Sequence, residues 1–248
     1  MNSVNTNVGA MVALQNLNKT SSDLSTVQSR INTGLKVASA KDNGAIWAIA
    51  QNQRSESGAL NAVKESLQRS ISTVDVALSA GESISDTLLQ MKEKALAASD
   101  TTLDTASRTA LNDDFKALRD QLTKVVDNAE FNGANMITGT TPTTVAALAS
   151  ADGQNKITVA AQNLALGGGN VTVADDSSIG TQTTAAAMIA TINTSIANVS
   201  SALSKLGTGS KALASHFDFV GKLQDTIDAG VGNLVDADLA KESARLQS

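Results

Sequence analysis

The side chains that could do chemistry are few. His216 is the single histidine and there is no cysteine. A metal would therefore have to be held almost wholly by carboxylates, while thiol nucleophiles, zinc–thiolate sites and disulfides are excluded. We read His216 as a surface or seam-edge residue and not a ligand. No Gly-x-Ser-x-Gly elbow stands beside a histidine and an acid. Gly167-Gly168-Gly169 is not followed by Gly-Lys-Ser/Thr, so the run is a turn and not a phosphate cradle. No catalytic residue, cofactor site or metal site is expected, and the chain is not read as an enzyme.

The remaining chemistry is association, and it depends on helices. Hydrophobic residues make up 42% of the 248, but aromatics only 2%. Burial must come from Leu, Ile, Val and Ala, which suit helix seams. Pro142 is the one proline, so long helices are not interrupted by a missing donor. The net charge of −5 argues against nucleic acid or an anionic membrane as the main partner. The first ten residues show no basic flank or apolar run of a signal peptide. No stretch is read as reaching the ~18 apolar residues of a membrane span.

The pattern predicts helix, middle, helix. Apolar positions from Val4 to Ile31 recur at helical spacing, then break at Thr33-Gly34. Asp42 or Asn43 could cap the next helix. Leu60 to Ala95 forms a heptad seam of about five repeats, ~50 Å long. Asp104 or Thr105 starts a third helix, and Phe131-Asn132-Gly133 ends it. The middle, from Ile137 to about Thr184, should hold two or three short strands, with Lys156–Ala160 and Asn170–Ala174 the candidates. From Ile189 to Leu234 one seam returns, weakened at Gly207, Gly209, Gly221, Gly230 and Gly232. The predicted class is mainly α: long antiparallel helices in a coiled-coil-like bundle with a small β-hairpin insertion.

Five patches, in order, resemble bacterial flagellins. They are Asn5-Thr6-Asn7 through Leu24, Arg30-Ile31-Asn32-Thr33-Gly34, Ser39-Ala40-Lys41-Asp42-Asn43 through Ala50, Phe131-Asn132-Gly133, and Val235-Asp236-Ala237-Asp238-Leu239-Ala240-Lys241-Glu242. The resemblance covers roughly 2–137 and 185–248. Asp42-Asn43-Gly44-Ala45-Ile46-Trp47 departs from the family's usual Asp-Asp-Ala-Ala-Gly-Leu. The chain also ends at Leu246-Gln247-Ser248, before the final helix that flagellins normally carry.

The resemblance implies a filament subunit that self-assembles for swimming, located outside the cell and exported by the flagellar type III machine without a cleaved signal peptide. Partners would be other copies or other flagellins, the export apparatus, the filament cap, and a cytosolic chaperone that holds the C-terminal helix. The divisions it implies are 1–38, an inner-tube helix and linker; 39–137, the N-terminal rod helices; 138–184, a short variable insertion; and 185–248, the C-terminal long rod helix. Subunit-interface candidates are Asn5, Asn7, Leu17, Leu24, Arg30, Ile31, Arg54 and Asp238. Gln90, Met91, Lys92 and Glu93 align with the segment read by the animal Toll-like receptor for flagellin. Gln90 stands where the family has Arg, which removes a planar donor fork. Thr143, Thr144, Ser177 and Ser178 are possible O-glycosylation sites. The alternatives are a hook–filament junction protein and a helical adhesin or binding scaffold.

Overall fold

A computed structural model describes residues 7–247. In chain order the elements are α1 (Val8–Thr33), α2 (Gly44–Ala98), α3 (Thr105–Asn128), β1 (Val145–Leu148), β2 (Lys156–Val159), α4 (Gln182–Val235) and α5 (Leu239–Gln247). They fall into two compact units. One holds the described residues up to Ala59 with those from Lys222 onward; the other is Leu60–Gly221.

Leu60–Gly221 owes its core to an unbroken heptad. On α2, Leu60, Val63, Leu67, Ser70, Val74, Ala77, Gly81, Ile84, Leu88, Met91, Ala95 and Ala98 are all buried. Their steps alternate three and four. On α4 the buried Ala185, Ile192, Val199, Leu206, Leu213 and Val220 recur every seven residues. A straight helix drifts from a seven-residue period, so such a seam favours left-handed supercoiling. Buried hydroxyls stay satisfied within their own helix: Ser70 donates to the Ser66 carbonyl at 2.8 Å and Thr87 to that of Ser83 at 2.8 Å. α3 adds the fully buried Phe115 and Leu122.

The caps resolve the open alternatives. Asn43 Oδ1 accepts from the Ile46 N–H at 3.1 Å at the start of α2, and Asp104 accepts from Ser107 N–H at 2.9 Å before α3. Asp42 instead ties the preceding loop. Phe131-Asn132-Gly133 is a tight turn, with φ of 50° at Asn132 and 79° at Gly133, closed by a Phe131–Ala134 bridge.

Three expectations are corrected. First, Asn170–Ala174 is not a strand. Thr172 N–H donates to Ser195 Oγ at 2.9 Å, and the Val173 carbonyl accepts from Gly167 N–H at 2.7 Å, so no ladder partner remains. The hairpin pairs β1 with β2 instead, Val145 opposite Val159; β1 is half alanine and carried no strand signal. Second, 185–248 is not one helix. A bridge between Leu35 and Asp236 draws the chain out of helix after Val235, and α5 starts afresh. Third, α4 is long and apolar enough, by length and composition, to cross a membrane: it has an 18-residue window of mean hydropathy 1.2. The stretch 182–204 has no charged residue, but Ser, Thr and Asn punctuate it and the heptad occupies one face.

The hairpin lies on the long helices of its unit. Leu148 N–H donates to Ser66 Oγ at 3.1 Å, His216 Nε2 lies 2.7 Å from the Ala149 carbonyl, and Val159 packs at Gly209. His216 is thus a half-buried clamp on the hairpin.

Candidate assembly surfaces

In the unit formed by the two ends of the described chain, α1 is built to stop. Gly34 adopts φ 70°, and its N–H caps the Arg30 carbonyl at 2.8 Å; only glycine takes this left-handed position without steric cost. The chain then lies along the end of α4. Lys36 N–H donates to the Val235 carbonyl at 2.7 Å and Ala237 N–H to that of Gly34 at 2.8 Å. Lys36 Nζ reaches the Asn233 carbonyl at 2.9 Å, where the helix dipole favours a cation. Beneath this crossing, Val37, Ala50, Val231 and Val235 are buried with Leu35, Ile46, Trp47, Ile227 and Leu234 packed against them.

The loop before α2 is tied by one carboxylate. Asp42 Oδ2 accepts from the backbone N–H of Ala38 at 3.0 Å and of Ser39 at 2.9 Å, and from Ser39 Oγ at 3.1 Å. The Ser39 backbone hydrogen bond is the first cause holding its pKa below 3.8; the Ser39 hydroxyl, Ala38 and Arg30 add to it.

α5 docks on the last turns of α1. Asp238 caps it, accepting from Lys241 N–H at 3.1 Å. Glu242, only 6% exposed, accepts from Arg30 Nη1 at 3.1 Å, with Arg245 Nη1 at 3.6 Å from the same oxygen. A cleft of ≈ 640 Å³ lies between the two helices, lined by Leu24, Val27, Leu246, Arg30 and Arg245 among others. N-terminal to it, α1 is bare. Val27 is its one buried residue among those described, while Val8, Met11, Leu14 and Leu17 are 58–69% exposed. These exposed apolar side chains along α1 make it a candidate interaction surface.

The structure brings some predicted residues together and scatters others. Arg30, Asp238 and the half-buried Ile31 gather where α1 meets α5. Leu17 and Leu24 lie on the exposed stripe, and Asn7 is the cap of α1, accepting from Ala10 N–H at 3.1 Å. Asn5 lies outside the described residues. Arg54 is exposed and donates to Gln51 Oε1. Among the receptor-facing candidates, Met91 is corrected: its heptad position buries it completely. Gln90 and Glu93 are exposed and Lys92 is half-buried. Thr143 and Thr144 are exposed, whereas Ser177 and Ser178 are half-buried and the Ser177 carbonyl accepts from Arg119.

Sequence reasoning passed over Glu242 as a site, although it sits in the Asp-Ala-Asp-x-Ala-x-Glu run. It also passed over a polar layer in the same unit, where Ser57 Oγ donates to Asp228 Oδ1 at 2.8 Å. Hydrophobic periodicity carries no signal for either.

Residues 4–141 match the model of the bacterial flagellin N-terminal helical region, and 189–248 that of the C-terminal helical region. Flagellin FljM of Caulobacter vibrioides is 58% identical over 248 residues, spanning 100% of this chain and 89% of that protein. Flagellin FljJ of the same organism is 43% identical over 99% of this chain and 88% of its own length. A flagellin of Brucella melitensis is 32% identical over 100% of this chain and 90% of its own. A solved structure described as a flagellar hook-associated protein of Vibrio parahaemolyticus shares the fold at TM-score 0.66 and 15% identity, over 79% of this chain and 100% of that one.

Proposed function

The chain belongs to the bacterial flagellin family and is a structural subunit of the extracellular flagellar filament, and we propose that it enters that filament through the α1 stripe and the α1–α5 junction, without catalysis. The observation that carries the interface reading is the bareness of α1: six large apolar side chains, Val8, Met11, Val12, Leu14, Leu17 and Leu24, are 44% or more exposed on one helix. A monomer gains nothing from such a stripe; a polymer buries it. Asn7, Leu17, Leu24, Arg30 and Ile31 belong to that surface in this reading, with Asp238 supporting it by capping α5. The structural likeness to a hook-associated protein concerns the fold alone, whereas the 58% identity to flagellins spans the chain, so the filament role is preferred over a junction role.

The route is inferred from the family. The subunit leaves by the flagellar type III system without a cleaved signal peptide, polymerises beneath the filament cap and meets a cytosolic chaperone before export. Expression as the only flagellin in cells lacking their own tests this. Filaments composed of this chain are expected; chain that accumulates only inside the cell would contradict the export reading. The receptor surface is reduced to Gln90, Lys92 and Glu93, and weak or no receptor activation is expected in a reporter-cell assay. Strong activation at low concentration would overturn that. Of the four glycosylation candidates, Thr143 and Thr144 are the exposed ones; an intact mass of filament protein equal to the sequence mass would rule out sugars there.

A further inference from the structure

Sulfur is unevenly distributed over the surface of this chain. The sequence has five methionines and no cysteine. Met91, on the α2 heptad, and Met136, just after the Asn132-Gly133 turn, are 0% exposed. Met188 on α4 is half-buried. Met11 on α1 is 58% exposed, the one exposed methionine among the described residues. Val8 and Leu14 stand three residues to either side of it and are also exposed, which makes them its neighbours on the helix surface. The Met11 thioether thus sits in the middle of a bare apolar row.

That position couples reactivity to packing. A thioether is soft and polarisable, and with no thiol in the chain nothing softer competes for a two-electron oxidant. A dissolved oxidant meets Met11 directly, whereas the folded chain shields Met91 and Met136. Oxidation turns an apolar side chain into a polar, chiral one. Buried between side chains such as Val8 and Leu14, which offer no donor, the new oxygen would lose its water without replacement, and that is costly.

We propose that Met11 is a redox-sensitive modification site: hydrogen peroxide converts its thioether to the sulfoxide while the subunit is free, and the modified subunit is disfavoured at the growing filament end. The sulfur lone pair forms an S–O bond to one peroxide oxygen and the O–O bond breaks. The proton on the transferred oxygen passes to the departing hydroxide, which leaves as water. Sulfur is oxidised by two electrons and the peroxide reduced by two. The effect on growth rests on the reading that assembly buries the α1 stripe; the site itself rests on exposure alone.

The test uses the purified full chain, free and polymerised, in dilute hydrogen peroxide, followed by peptide mapping by mass. In the free chain one oxygen should appear at Met11 while Met91 and Met136 stay unmodified, and in filaments uptake at Met11 should slow. Oxygen arriving at Met91 or Met136 as fast as at Met11 overturns the site. Equal uptake at Met11 in both states overturns its burial on assembly. Seeded growth is then measured for oxidised parent and oxidised Met11→Leu, each against its own untreated sample, so that any effect of leucine itself cancels. Oxidation should raise the critical concentration of the parent about tenfold or more and leave that of Met11→Leu where it was. Treatment with the two methionine sulfoxide reductases, one for each epimer, should restore the parent. Parent growth unchanged by a sulfoxide at Met11, or equal sensitivity in Met11→Leu, overturns the proposal. Untreated parent that extends no seed is a different failure: it contradicts the filament reading and the growth effect with it, while the peptide map still decides the site.

Discussion

Glu242 holds α5 to α1 with one oxygen shared by two arginines. α5 packs along the last turns of α1, and this pairing pins it there. Glu242→Ala leaves Arg30 and Arg245 free to reach water, because they are about a third and a half exposed. The expected loss is therefore about 1–2 kcal/mol, below that of a fully buried broken pair. Amide exchange across 239–247 should quicken roughly tenfold, while exchange in Leu60–Gly221 stays unchanged. Equal protection in both variants would show that the ion pair does not hold the helix. Asp42 acts differently, through charge. Its pKa is lowered in the folded chain, first by the Ser39 backbone hydrogen bond. A lowered carboxylate pKa contributes stability above the unfolded value of 3.8, and loses it as pH falls through the folded value. The loop before α2 should loosen below pH 3.8, reported by fluorescence of Trp47, the single tryptophan, in the adjoining core. Asp42→Asn should flatten that acid transition; an unchanged curve would assign it to other groups.

Two close approaches separate elements that can yield from those that cannot. A Cβ at Gly209 would fall 2.6 and 2.8 Å from the two γ-methyls of Val159, a branched side chain with little freedom. A Cβ at Gly81 would meet the Cδ2 end of Leu203 at 2.5 Å, which can rotate away. Gly209→Ala should therefore push the hairpin off α4, seen as lost amide protection at Val145–Leu148. Gly81→Ala should come closer to neutral, since about 1 kcal/mol of helix propensity offsets the repacking. The reverse order in urea unfolding would contradict this packing account. Leu206, fully buried in the α4 heptad, should cost about 2–5 kcal/mol on replacement by Ala.

For the molecule as a whole, legibility followed the kind of force involved. The seams of α2 and α4 were written in apolar spacing and lie where the residues put them. The Asn43 cap and the Asn132-Gly133 turn were written in side-chain chemistry. Asn170–Ala174 misled because its β-branched residues satisfy their backbone through Ser195 on α4 and a turn at Gly167, contacts of the folded chain that apolar spacing does not carry. The break after Val235 escaped for the same reason: it depends on Leu35, some two hundred residues earlier. The burial of Met91 was readable from its heptad position, but alignment with a receptor segment took precedence over periodicity. The candidates Arg30, Leu24 and Asp238 were legible as residue types at both ends, while the buried Glu242 between its arginines was not. Whether this chain builds a filament from copies of itself is read by seeded polymerisation of the purified chain followed by electron microscopy. Seeds should lengthen in proportion to added chain, into filaments with this chain as the added subunit; a helical monomer that leaves seed length unchanged at every concentration would rule out the filament role.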